Sequence, residues 1–222
     1  MLDIKKFTLA SLTIMSFSAS AEVSMNLGVT SNYMWRGVTQ SNDSAAISGG
    51  IDYTNDNGLY AGVWTSNVDF GAGSGSEVDL YVGYASSINS IDYDIGYVTY
   101  TYPVSGFEDS DYREVSLKTS YKSLTLGVAL TVSSDIDDNQ AFSTGDIYTH
   151  ASYSFKLPQE YSLTLTGGVY TFDENESIFG DNDYNHIQID INKSDFTFSV
   201  SKAAEESGSD NLKVFAGWTK LF

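Results

Sequence analysis

Few residues in this sequence have the chemistry of an active centre. His150 and His186 are the two histidines, and both lie in segments that also carry serine or aspartate. A histidine that meets such a partner can activate a nucleophile, which opens a hydrolase reading. The simpler account makes both histidines polar fillers. The chain has no Gly-x-Ser-x-Gly elbow, no paired-histidine metal spacing and no phosphate loop. Asp135-Ile136-Asp137-Asp138-Asn139 and Asp173-Glu174-Asn175-Glu176 offer oxygen ligands for Ca²⁺ or Mg²⁺. Neither has the regular loop of an EF-hand, and a solvated acidic loop explains them as well. No cofactor and no metal site are expected. The absence of cysteine excludes thiolate sites and disulfides.

The other chemistry is electrostatic. The chain has 11 basic and 29 acidic side chains. Such acidity excludes a nucleic-acid partner, whose phosphates require a basic surface. The first residues read as an export signal. Lys5 and Lys6 precede an apolar stretch from Phe7 to Phe17, and Ala19-Ser20-Ala21 is a small-residue cleavage site. The apolar stretch is too short to span a bilayer as a helix. The expected division is a cleaved signal peptide over 1–21 and one mature domain over 22–222. Cleavage removes Lys5, Lys6 and Asp3, leaving 9 basic and 28 acidic side chains.

The elements that must position any site are strands. Val78, Leu80, Val82 and Tyr84 alternate with Asp79, Tyr81 and Gly83. Leu124, Leu126, Val128, Leu130 and Val132 alternate with Thr125, Gly127, Ala129 and Thr131, and similar rhythms recur at 146–157, 184–192 and 195–202. A period of two, with one apolar and one small or polar face, marks a half-buried strand. Nothing after the leader is apolar for long enough to cross a membrane as a helix. A membrane protein with this pattern must be a closed barrel, because only closure pairs every strand backbone in lipid.

Twelve such strands are predicted, near 23–33, 44–54, 59–68, 78–88, 91–102 and 113–121, then 124–133, 146–157, 161–172, 184–192, 195–202 and 211–222; ten is the other count the pattern allows. The connections alternate between tight turns, such as Asn55-Asp56-Asn57-Gly58, Asn89-Ser90 and Lys193-Ser194, and longer loops near 34–43, 69–77, 103–112, 134–145, 173–183 and 203–210. In an up-and-down barrel this sorts all turns to one rim and all long loops to the other, as in bacterial outer-membrane barrels. The fold class is therefore all-β, an antiparallel up-and-down transmembrane β-barrel in the outer membrane of a Gram-negative bacterium. Its partners are expected to be outer-membrane lipid and lipopolysaccharide. The last strand ends in Phe222 with Gly217 upstream, similar to the signal read by the barrel assembly machinery. Lys220 departs from that pattern and is expected to snorkel to the interface.

A family resemblance rests on four blocks. Ser31-Asn32-Tyr33-Met34-Trp35-Arg36-Gly37, followed by Thr39-Gln40-Ser41, resembles the N-terminal signature of the TorF-type porins, also catalogued as the Gcw_chp proteins. Gly58 to Phe70, Glu77 to Tyr84 and Gly96 to Pro103 are similar to later blocks of that family. The resemblance implies an outer-membrane barrel of porin type and carries no catalytic residues.

Parity then selects candidate pore-lining residues. They are Asp52, Trp64, Asp79, Tyr81, Asp92 and Asp94 in the first half, with Glu114, Lys118, His150 and Asp190 in the second. Arg36 is weighed separately, since it either folds into the mouth to pair with lumen acids or anchors at the interface beside an aromatic girdle. Twelve strands fall between a barrel filled by its own side chains and an open pore. The first reading is thus a porin or narrow channel for small neutral or cationic solutes, since lumen acids outnumber bases. A non-conducting structural or surface-interaction barrel with a plugged lumen is the second reading. An outer-membrane hydrolase, a class that includes twelve-stranded members, is the third.

Overall fold

The computed structural model describes residues 22–71, 73–103, 109–136, 140–173 and 183–222. The expected leader over 1–21 lies outside the described residues, as do parts of the acidic runs 135–139 and 173–176.

Twelve antiparallel strands close into one barrel. They are β1 (Glu22–Thr30), β4 (Ala46–Thr54), β5 (Leu59–Asp69), β6 (Ser74–Ile88), β7 (Ile91–Thr101) and β8 (Tyr112–Tyr121), then β9 (Leu124–Ser134), β10 (Ile147–Lys156), β11 (Ser162–Thr171), β12 (Tyr184–Lys193), β13 (Phe196–Ala203) and β14 (Lys213–Leu221). Each wall strand pairs with its neighbour in chain order, and β1 closes the ring against β14. Phe222 sits in this seam and exchanges backbone hydrogen bonds with Met25. Two further short strands, β2 (Met34–Trp35) and β3 (Val38–Thr39), pair with each other and, among the described residues, with no other strand.

Turn chemistry sets the tight rim. Asn89 and Ser90 both have positive φ, at 50° and 67°, which is the primed two-residue turn that matches strand twist. At the opposite rim one expectation fails. The predicted loop over 69–77 is mostly strand, and β5 and β6 run up to the connection 70–73. The run Ser74-Gly75-Ser76-Glu77 lacks the apolar alternation that a strand search looks for, yet Val68 pairs with Gly75 and Ser66 with Glu77. The turn expected at Lys193-Ser194 also falls one residue later, at Ser194-Asp195.

The faces are inverted relative to a soluble domain. Leu80, Val82, Leu126, Val128, Ile187 and Ile189 all point outward and are exposed. The inward parity carries Asp79, Tyr81, Thr125, His186 and Asp190. The lumen itself divides along the barrel axis. Toward the tight turns it is lined by short polar pairs, such as Ser120 with Thr125 and Ser154 with Thr164. Toward the long loops it is filled by a buried aromatic cluster.

Candidate functional site

The connection from β1 to β4 does not stay at the rim. It folds into the lumen as the β2–β3 hairpin, and Tyr33, Met34 and Trp35 are buried there. Its tip is Arg36-Gly37, with φ of 49° and 87°, again the primed turn that joins two-residue hairpins. Gly37 is required for a second reason: a Cβ there would lie 2.5 Å from the Cβ of His186. The hairpin base is tied by side chains. Asn32 donates to Asp43 at 2.8 Å and accepts from Thr39 at 2.6 Å. The Ser41 hydroxyl accepts the Tyr33 N–H at 2.9 Å and donates to the Ser44 carbonyl at 2.6 Å.

Arg36 crosses the lumen. Its guanidinium donates to both carboxylate oxygens of Glu114, at 2.7 and 2.6 Å, and Glu114 is 2% exposed. Glu114 stands on β8, far around the ring from β1, beside a register shift against β9. Such bulges re-aim side chains. The guanidinium carbon also lies 4.0 Å from the Trp35 ring centroid, 4.3 Å from Tyr148 and 5.2 Å from Tyr170, within reach of cation–π attraction. The Tyr184 hydroxyl donates to the Arg36 carbonyl at 3.1 Å. Burial alone would favour losing the Arg36 proton; the Glu114 carboxylate outweighs it and holds the group above its ordinary range. The sequence left Arg36 between mouth and interface, and the fold places it inside.

Rings complete the closure. Trp35 packs against Tyr100, Tyr112, Phe142 and Tyr170 at centroid distances of 5.9–6.4 Å. Tyr33 meets Trp64 edge-on at 5.5 Å, and its hydroxyl donates to Glu77 at 3.4 Å. Asp79 lies directly between Trp64 and Tyr100 across the strands. Arg36, Trp64, Asp79 and Glu114 are thus brought together around the hairpin.

The remaining candidates face the lumen elsewhere. Toward the tight turns, Asp52 accepts from the Tyr81 hydroxyl, and Asp92 accepts from Ser87. Asp94 accepts from Tyr60 at 2.6 Å and pairs in register with Lys118. Asp190 accepts from Ser199 at 2.6 Å and Gln188 at 2.9 Å. Tyr60 and Tyr81 lie across Gly83 and Gly62, where no side chain competes for the space. His150 stacks on Tyr148, and His186 shares a 2.8 Å hydrogen bond with the Tyr148 hydroxyl.

Sequence reasoning missed Glu77, Tyr112, Phe142 and Tyr184 as site residues. Glu77 had a usable signal: it shares the parity of Asp79 two residues later. Phe142 comes from an irregular loop and has φ of 68°, so periodicity could not find it.

Known proteins bear on this geometry. The model of the family described as "Bacterial protein of unknown function (Gcw_chp)" matches residues 16–204. No curated protein matches the sequence. Among solved structures, the fold is similar to the KdgM porin, with a TM-score of 0.53 and 8% identity over 90% of this chain and 98% of that one. It is also similar to the KdgM porin in complex with disordered oligogalacturonate, with a TM-score of 0.52 and 7% identity over the same shares. At such identities the likeness establishes a porin-type barrel fold.

Proposed function

The chain belongs to the Gcw_chp family, and from that premise we propose that it is an outer-membrane channel for small neutral or cationic solutes, constricted at its long-loop mouth by the β2–β3 hairpin. The observation that carries this reading is the inverted barrel, with an apolar outer face around a polar lumen. Lipid covers the outside, and water and solute are the partners of the inside. Lipopolysaccharide faces the long-loop rim.

Selectivity follows from the lining. Asp52, Asp92, Asp94 and Asp190 face the tight-turn half, where Lys118 and, at its rim, Lys156 oppose them. A lining with this balance favours cations. One similar structure holds the polyanion oligogalacturonate, and we propose that this lumen excludes such chains.

A plugged barrel is the second reading, favoured by how completely the hairpin packs against the opposite wall. The hydrolase reading has less support, since the His186 ring partners a tyrosine. Purified protein in a planar bilayer decides among them. Cation-selective conductance, increased when the hairpin residues 33–40 are replaced by a short glycine-serine link, supports the channel. Silence of the unmodified protein, whether or not the link opens it, supports the plug.

A further inference from the structure

We propose that the wall around Glu114 is a recognition site for guanidinium-bearing solutes, occupied within the chain by Arg36 as its own competing ligand. This deepens the channel reading by naming a solute class.

With Arg36 set aside, the wall keeps every group that holds it. Glu114 offers both carboxylate oxygens to a single planar group, at 2.7 and 2.6 Å. Only a planar fork of N–H donors matches that geometry; an ammonium is a point charge with three rotating donors. Above and beside the carboxylate stand Tyr148 and Tyr170, with ring centroids 4.3 and 5.2 Å from the bound cation. The Tyr100 hydroxyl reaches Glu114 at 3.3 Å. These groups come from β7, β8, β10 and β11, all wall strands held in register by their neighbours. The receptor is therefore built on rigid elements, and its present ligand is built on a short hairpin.

Removing the ligand leaves a strong incentive to replace it. Glu114 is almost wholly buried, and a buried carboxylate without its cation is costly. A solute arriving through the lumen engages both oxygens at once only with the same fork. Trp35 shields the cation from the hairpin side at 4.0 Å, so a solute that carries an apolar ring or chain beside its guanidinium copies the Trp35-Arg36 pair most fully. The competition is intramolecular. Tethered Arg36 acts at an effective concentration of the order of millimolar, which keeps dilute solutes out and sets a threshold for entry.

The test uses the full chain in detergent or lipid, with ethylguanidinium as probe and ethylammonium as control. In Arg36→Ala, ethylguanidinium at about tenfold its dissociation constant is expected to raise the thermal unfolding midpoint by about 3–6 °C. Ethylammonium is expected to give less than a third of that shift, and Arg36→Ala/Glu114→Gln none with either probe. If Arg36→Ala fails to assemble unaided, its folded yield on refolding with each probe is the readout, with the same order expected. Equal shifts from both probes, a shift that survives Glu114→Gln, or no shift or gain in yield overturns the site. None of these readouts needs conduction. A barrel that shows the shift but never conducts keeps this site and defeats the channel reading; a conducting barrel without the shift does the reverse.

Discussion

Arginine placed along the outer face of β9 gives a depth gauge for the barrel. Leu124, Leu126, Val128, Leu130 and Val132 point outward and are 38–49% exposed. From Leu124 to Val132 there are eight steps. At about 3.4 Å each and a tilt of about 40°, they rise about 21 Å, close to the roughly 25 Å apolar band of an outer-membrane barrel. Val128 is the central position and falls near the midplane. Arginine there is expected to cost about 2–4 kcal/mol, and arginine at Leu124 or Val132 about 0–1 kcal/mol. A soluble barrel with the same faces predicts another result, since exposed surface substitutions stay within about 0.5 kcal/mol. Urea unfolding of each variant reconstituted in lipid vesicles measures the profile. A flat profile across the five positions refutes the membrane reading, and a maximum at either end refutes the placement of the band.

Three further outcomes are expected. Glu114→Gln leaves the Arg36 cation buried without its counter-charge and should lose about 3–5 kcal/mol, whereas Lys213→Ala, which breaks an ion pair to the 52%-exposed Asp43, should lose about 0.2–1 kcal/mol; equal losses in equilibrium unfolding would dismiss the latch. Gly62→Val puts branched carbon where the Tyr81 ring lies, with an added Cβ already 2.4 Å from its hydroxyl oxygen, and should destabilise by about 1–3 kcal/mol; the check is whether Tyr81→Ala relieves the loss. Asp92→Asn/Asp94→Asn should lower cation preference in reversal-potential measurements more than Glu205→Gln/Glu206→Gln, with the difference shrinking in molar salt, where screening shortens to about 3 Å; anion selectivity in the unmodified protein contradicts this assignment.

The barrel was legible because its signal is local and repeated. Alternation places Leu126 outward and Thr125 inward whatever happens far along the chain, and the observed strands fall within a few residues of those expected. The β6 extension was not legible, because Ser74 to Glu77 has no apolar face to alternate and is ordered by pairing with β5. Parity also identified lumen positions but not their depth of packing. Asp79 and Asp92 read alike in sequence, yet one is 8% exposed beneath the hairpin and the other faces the tight-turn half beside Ser87. The inserted hairpin was not legible as a hairpin: 34–43 reads as a long rim loop, and only the alternative that Arg36 folds into the mouth pointed inward. Its Arg36-Gly37 turn and the two short strands emerge only in the fold, and entry of the turn into the lumen is decided by Glu114, 78 residues away.

That long-range dependence gives a physical meaning to the blocks that carry the family resemblance. Asn32, Thr39 and Ser41 tie the hairpin base, Tyr33 and Trp35 fill the lumen, Arg36 reaches the far wall, and Gly37 passes His186 where no side chain fits. The later blocks supply much of the surface that this hairpin meets: Trp64, Glu77 and Tyr100 all touch it. The motif and the blocks after it are therefore two sides of one internal interface. An isolated hairpin this short has too little buried area to hold itself together, so its shape is borrowed from the wall. The wall, in turn, needs the hairpin to neutralise Glu114. Such mutual dependence ties closure of the mouth to completion of the barrel, because β8 and β12 must be in place before Arg36 and Gly37 have anything to dock against.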